Sequence, residues 1–477
     1  MDIAIIGCGP VGALLGNLLG AEGLSVDIYD RERDVYPLPR AVHFDGEIMR
    51  LFQSAGLANE IKAFARPGTE GTHFVNGQGR TLVRRQHDDM ASHNGWTASW
   101  YFHQPLLEGA LRRGLARYPN VRVHLGHEVG SVDELGHRFV IGCDGARSLV
   151  RHAIGSRRID LGLNQPWLVV DLLCDLESAR VQAIPAYTLQ VCDPARPMTA
   201  VNVGPARGGW RRRWEIMLMP GDDPAHLTDP EVFWPMIARW LGPEDARLER
   251  AAVYTFHSAV QEGWRKGRLL LAGDACHQTP PFLGQGMCAG LRDAANLSWK
   301  LGAVVRGEAP DSLLDSYEVE RRPHVRAFIA LAVDLGGILQ ETDRAKAAER
   351  DRSYDGSIRT YRYPQQQLGL GCRLDQPAPV GTIFPQPCLD DGRLMDEAIG
   401  RHFAIVGDAE LLKGLRTSAV VLPGVGTEWL AEHGAKAAIL RPDRYIFGVA
   451  RTRDELLAAT RRSPASFGLL WCEPSSS

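Results

Sequence analysis

The chain begins Met1-Asp-Ile-Ala-Ile-Ile-Gly7-Cys-Gly9-Pro10-Val11-Gly12-Ala13-Leu14-Leu15-Gly16-Asn17-Leu18-Leu19. An apolar run of strand character breaks into Gly-x-Gly-x-x-Gly, and a helical apolar pattern follows at once. A strand, a tight turn and a helix N-terminus in that order form a cradle for a dinucleotide pyrophosphate, because unpaired backbone N–H groups at the helix start point at the phosphates. Gly7 allows the turn, Gly9 lets the backbone approach the phosphate, and Gly12 lets helix and strand pack closely, with Pro10 and Val11 completing the loop. Downstream, Ser25-Val-Asp-Ile-Tyr-Asp30 reads as a second strand ending in a carboxylate, 18 positions past Gly12 (30 minus 12). Asp30 is thereby placed to accept a hydrogen bond from a ribose, with Arg31 beside it.

Composition sets the outer bounds. The 477 residues give room for two or three domains and a large buried core. With 54 basic against 57 acidic residues, no strong overall field favours nucleic acid or an anionic membrane. The nine cysteines, ending at Cys472, include no Cys-x-x-Cys and no metal-ligand spacing, so no metal site is expected. Scattered thiols in apolar stretches suit a reducing cytoplasm. Asp2 stands where a signal peptide would carry positive charge, and no stretch approaches the roughly 18 apolar residues that cross a bilayer.

Along the chain, helices are expected at Phe44 to Gly56 and Gln104 to Arg117, and short strands at Val121–Leu125 and Arg138–Gly142. From about 160 to 265 the sequence is rich in β-branched and aromatic residues with turn clusters between, which predicts a mostly antiparallel sheet. An α/β pattern returns at Gly267-Arg-Leu-Leu-Leu-Ala-Gly273-Asp274, followed by a helix carrying Met287, Leu291, Ala294, Leu297 and Leu301 on one face. The expected units are a discontinuous dinucleotide-binding domain (1–160 and 266–342), an inserted sheet domain (161–265), a connector (343–379) and a small α/β tail (380–477). Residues 72–102 could serve either of the first two.

Two further motifs bear on the opening cradle. Asp144-Gly145 ends an apolar strand and is followed by Arg147; alone it is an ordinary strand-ending turn. Gly273-Asp274-Ala-Cys-His277-Gln-Thr-Pro280-Pro281-Phe-Leu-Gly284-Gln285-Gly286-Met287 ends a second strand in an aspartate and stiffens the following loop before a helix begins. Asp274 could bind a polyol hydroxyl there, while the positive helix end would favour an anion.

Taken together, these three motifs resemble the single-component, class A FAD-dependent aromatic hydroxylases, over about the first 340 residues. The segments Pro39-Arg-Ala-Val-His-Phe-Asp-Gly-Glu47, Phe102-His-Gln-Pro-Leu-Leu-Glu108, Tyr254-Thr-Phe-His257 and Gly284 to Leu297 are most similar to the 3-(3-hydroxyphenyl)propionate and phenol hydroxylase branch. The resemblance implies a Rossmann-like α/β domain binding FAD, an inserted β-sheet substrate domain and a C-terminal thioredoxin-like domain, here without Cys-x-x-Cys. It implies hydroxylation of a phenolic ring with NADH or NADPH and O2 through a flavin C4a-hydroperoxide. It also assigns roles: Asp30 to the adenosine ribose, Arg40 and Gln104 to the pyrophosphate or ribityl side, Asp274 to the ribityl chain, and Gly286 and Met287 to the flavin pyrimidine edge. Asp144 and Arg147 fall in the motif that the family uses for both FAD and the nicotinamide. Gly273, Gly284 and Gln285 belong to the same cofactor set, and Pro280 and Pro281 would line the reactive face.

Other assignments rest on the residues themselves. His257 is the candidate base, although a lone histidine in an apolar strand is more often a satisfied core residue. Trp96, Trp100 and Tyr101 could stack on a substrate, although each is individually more often core. Arg211, Arg212 and Arg213 could attract a carboxylate, although such a run is usually a solvated turn. The short link Glu128 to Gly136 departs from the longer hairpin common in the family, and Asp30 stands where glutamate is frequent. The tail then has a packing or homodimer role. Two alternatives stay open: a tailoring hydroxylase of a polycyclic aromatic polyketide or other natural product, and a non-catalytic FAD-binding scaffold.

Overall fold

The structure, a computed structural model, describes residues 2–37, 40–85, 93–354, 358–361, 367–464 and 470–471; Met1, Pro39 and Cys472, named above, lie outside them. Ile3–Ile6 is buried on both faces and pairs in parallel with Val26–Asp30 on one side and Phe139–Gly142 on the other. That burial explains why its four residues are all apolar rather than alternating. Val121–Leu125 and Leu269–Leu271 extend the sheet in parallel, and Arg265–Lys266 closes it to six strands. Two distant stretches therefore complete one sheet with the N-terminus. The Pro10–Ala21 helix packs over it, and Gly12 permits this contact because a Cβ there would run into the Gly7 carbonyl.

A second sheet of nine strands stands beside the first. Its order, from one edge, is His277–Gln278, Ala246–Glu262, Arg157–Cys174, Gly209–Met217, Met198–Ala206, Thr188–Cys192, Thr72–Asn76, Thr81–Arg85 and Arg359–Tyr361. The pairings from His277–Gln278 through Met198–Ala206 to Thr188–Cys192 are antiparallel, while Thr188–Cys192 meets Thr72–Asn76 in parallel. Residues 72–85 thus lie in the second sheet. A three-stranded piece, His43–Asp45, Ser99–Tyr101 and Arg66–Pro67, bridges the two.

Several boundaries move from their expected positions for identifiable reasons. The Gly46–Ser54 helix starts two residues late because Asp45 caps it, its carboxylate accepting from the Ile48 N–H at 3.2 Å, while Phe44 stays in a strand. The Gln104–Leu115 helix ends early, with Arg112 and Arg113 in its last turn. The link from 128 to 136 holds only a three-residue 3-10 turn, Val132–Glu134, and Val123 and Leu125 on the neighbouring edge strand are exposed. The connector stretch contains a helix, Arg344–Ser353, whose cap Asp343 accepts from two backbone N–H groups. Its charged sequence carries no apolar period that would announce it.

The tail forms a four-stranded mixed sheet in the order Val420–Pro423, Ala404–Gly407, Ala437–Leu440, Ile446–Ala450. Buried ion pairs fasten it to the rest. Arg50 meets Asp396 at 2.6 Å, and Arg441 meets Glu320 at 2.9 Å, where Lys300 also donates at 2.8 Å. Among the described residues, no helix is long and apolar enough to cross a membrane.

Candidate active site

A cavity of about 420 Å³ lies between the two sheets. One wall comes from the six-stranded sheet and its loops: Gly9, Pro10, Val11, Arg40, Gln104, Asp274, Pro281, Gly284, Gly286 and Met287 line it. The other wall is the inner face of the nine-stranded sheet, including Thr188, Gln190, Thr199, Arg213, Glu215, Arg250, Tyr254 and His257. Three motifs separated by more than a hundred residues each are thereby brought to one place.

The glycine loop has the features of a phosphate cradle. No side chain caps the Pro10–Ala21 helix, and nothing stands within 4 Å of where a Cβ on Gly9 would sit. The Asp30 carboxylate is fixed beside it, accepting from the Cys8 N–H at 2.7 Å and the Glu32 N–H at 2.9 Å, with Arg112 at 3.7 Å. Gln104 acts one step back: its Oε1 accepts from the Arg40 and Ala41 N–H groups, both at 2.7 Å, so it shapes the loop that lines the cavity. Arg31 is exposed and pairs with Glu32.

The two aspartate motifs meet through Arg151, which the Asp144 segment carries but which held no assigned role. Its guanidinium donates to the Gly145, Ala146 and Ala275 carbonyls. Asp144 accepts from the Leu149 N–H at 2.7 Å, while its Oδ1 is buried with no partner among the described residues. Burial pushes its pKa up. Arg147 is exposed on the outer side of this turn. Asp274 is surrounded by protein but exposed to the cavity it lines, and it makes no hydrogen bond among the described residues. Burial there raises its pKa, against the pull of His277 and Arg40.

The loop after Asp274 is held from behind. His277 meets Asp293 at 2.6 Å, and Arg321 secures the same carboxylate at 2.9 Å; the Gly273 N–H also donates to it. Gln285 points away from the cavity, donating to Asp45 and accepting from Arg292. Pro280 is buried behind Pro281 and does not line the cavity. The Gly286–Val305 helix starts at the cavity with no side-chain cap, so its first N–H groups and its dipole face the interior.

The aromatic assignments divide by strand alternation. Tyr101 faces the cavity and bonds Thr188 at 2.7 Å. Trp100, its neighbour, points to the opposite side and stacks on Phe44 with centroids 6.2 Å apart, while Trp96 donates to Gln53 at 2.8 Å. Trp96 and Trp100 are thus structural residues, a correction to their substrate assignment. The arginine run is likewise no solvated turn. Alternation along Gly209–Met217 sends Arg213 to the cavity face and Arg212 to the Ile184 and Pro185 carbonyls behind it.

His257 lines the cavity half-buried, rather than sitting as a satisfied core residue, on the strand whose Ala259 and Val260 pair with Gln278 and His277. Sequence reasoning missed His43. Its Nε2 is 2.6 Å from the Ser99 hydroxyl and its Nδ1 is 3.4 Å from the Gly284 carbonyl; burial and Arg85 hold its pKa down at about 4. It also missed the charged wall, where Asp171 takes Arg213 at 2.7 Å and Arg250 at 2.6 Å, and burial raises the pKa of Glu215.

Residues 1–332 match the model of the FAD binding domain family. The chain belongs to the FAD-dependent aromatic hydroxylases. It is 37% identical to a probable NADH-specific resorcinol 4-hydroxylase of Rhodococcus jostii (strain RHA1), across 98% of this chain and 95% of that one. It is 34% identical to a 3-(3-hydroxy-phenyl)propionate/3-hydroxycinnamic acid hydroxylase of Mycobacterium sp. (strain KMS), across 85% of this chain and 74% of the other. Aklavinone-11 hydroxylase, solved with FAD and aklavinone, shares the fold with a TM-score of 0.78 at 21% identity, covering 97% of this chain and 98% of that chain.

The residues present fit the hydroxylase cofactor. The open space at Gly9, the two uncapped helix starts and the unpartnered Asp144 Oδ1 are all features that a bound FAD would use. Asp30 and the glycine loop would hold its adenosine half, and Asp274, Gly286 and Met287 its flavin half.

Proposed function

We propose that this protein hydroxylates a single phenolic ring, using FAD, reduced nicotinamide and O2. The observation that carries this reading is the facing of the Asp274 to Met287 loop across one cavity by a sheet wall of hydroxyl, amide and carboxylate groups. Bound FAD supplies the redox chemistry, taking reducing equivalents from the nicotinamide and activating oxygen. The chain's own residues must orient the ring, exclude water and receive the phenolic proton. His257 is the proposed acceptor, since both nitrogens of His43 are engaged, with Pro281 against the reacting ring. NADH is the proposed reductant, on the likeness to the NADH-specific relative.

The fold shared with aklavinone-11 hydroxylase raises the polycyclic alternative. The likeness at 37% and 34% identity to hydroxylases named for resorcinol and for 3-(3-hydroxy-phenyl)propionate/3-hydroxycinnamic acid, each a single ring, favours the single ring over the polycycle of a neighbour at 21% identity. We read the tail as thioredoxin-like, supported by its strand order, and place the protein in the cytoplasm, supported by its thiol pattern. The tail's buried ion pairs to the rest of the chain support a packing role.

The test is NADH oxidation by the purified flavoprotein with resorcinol and with 3-(3-hydroxyphenyl)propionate, products being identified by mass. Stimulated oxidation with a product one oxygen heavier supports the reading. No stimulation of NADH oxidation by either ring would favour the scaffold alternative, while stimulation with hydrogen peroxide as the sole product would mark these two rings as effectors rather than substrates.

A further inference from the structure

The inner face of the nine-stranded sheet carries a polar row whose chemistry distinguishes between ring classes. Glu215 is paired in register with Thr199, and Thr199 with Gln190, so three neighbouring strands present these side chains side by side to the cavity. Thr199 donates to Gln190 Oε1 at 2.7 Å, which orients the amide and leaves its N–H₂ group to act as donor. Glu215 is more than nine-tenths buried, yet its carboxylate makes no hydrogen bond among the described residues. Its nearest cation, Arg213 Nη1, is 3.8 Å away.

The two guanidiniums nearest Glu215, those of Arg213 and Arg250, already face carboxylates. Arg213 gives Nε and Nη2 to Asp171 and Nη1 to the Arg40 carbonyl. Arg250 also pairs with Asp171 and donates to the Tyr254 hydroxyl. Arg85 lines the cavity two strands beyond Gln190, in register with Thr72. Two guanidiniums are thus balanced by two carboxylates, Asp171 and Glu215, and a ligand carboxylate entering here would meet Glu215 at short range. A ring hydroxyl would instead donate to Glu215 and accept from Gln190.

We propose that Glu215, with Gln190 beside it, is the specificity-determining element, selecting a neutral phenol with a second ring hydroxyl and rejecting a ring that carries a carboxylate tail. The proposal rests on the phenol hydroxylase reading and extends it to the substrate class. A hydrogen bond to a charged acceptor, lost or gained, corresponds to about a tenfold or larger change in affinity.

The experiment is titration of the FAD-loaded protein with resorcinol and with 3-(3-hydroxyphenyl)propionate, following flavin absorbance. The wild type is expected to bind resorcinol at least about tenfold more tightly. Glu215→Gln should erase that ratio, weakening resorcinol and strengthening the carboxylate ligand. Gln190→Leu should weaken resorcinol without helping the carboxylate, and it decides the matter, with the wild-type ratio, if Glu215→Gln does not fold. Equal or reversed wild-type affinities, or a ratio unchanged by both substitutions, would overturn the proposal and leave the hydroxylase reading standing. If neither ring perturbs the flavin, both fall.

Discussion

Arg292 donates from Nη2 to Oδ2 of Asp45 at 2.6 Å, with both side chains about 95% buried. The pair joins the helix that starts at the cavity to the strand carrying His43, and Gln285 and Glu47 complete its hydrogen bonds. Desolvation opposes such a pair, so its value lies in fixing geometry rather than in raw attraction. Removing one partner is another matter, because the other charge is left buried.

Arg292→Ala should therefore lower stability by about 3–5 kcal/mol. Because Gln285 loses a partner too, the loop from Asp274 to Met287 should hold flavin less well. Thermal unfolding and the FAD content of the purified variant check both effects.

Gly284→Ala should be harmful out of proportion to its size. Gly284 has φ +64°, and a Cβ would approach the His43 ring nitrogen to 2.9 Å. Backbone strain and the displaced histidine together predict a loss of about 1–3 kcal/mol, readable as a lower unfolding midpoint in urea.

Acid should unfold the protein in two stages. Burial holds His43 and His103 at about 4 in the fold, below their usual 6.5, with Arg85 and Arg211 respectively adding to the effect. The unfolded chain thus binds protons that the native state refuses, and stability present above pH 6.5 is lost as pH falls toward 4. Glu320, held at about 2 by Arg441 and Lys300 despite its burial, contributes stability present above 4.5 that is lost as pH falls toward 2. Melting temperatures from pH 8 to 3 should show both stages, and His43→Gln should flatten the upper one.

His257→Gln should slow hydroxylation by roughly 10²-fold or more. Rate measurements across pH, with flavin content measured beside them, test this. An unchanged rate would exclude His257 as proton acceptor.

The cofactor wall was legible in the sequence because its signals are local. Gly7 to Gly12, Asp144-Gly145 and Gly273-Asp274 each mark a strand running into a turn, and strand pairing brings those strand ends together. The substrate wall was not legible, because its meaning lies in register. Asp171, Arg213 and Arg250 are 42 and 37 residues apart along the chain, yet adjacent across three strands. Which aromatic of Trp100 and Tyr101 faces the cavity depends on the parity of a three-residue strand, which no local pattern reveals. His43 was hidden for the same reason, inside a segment noticed only for its likeness to the family.

The most direct test of the account is a turnover under ¹⁸O₂ with NADH and resorcinol, reading isotope in the product. The account predicts a hydroxylated product carrying one ¹⁸O atom, formed only when FAD is bound. Product oxygen derived from water, or NADH consumed with all the ¹⁸O recovered as hydrogen peroxide, would contradict it.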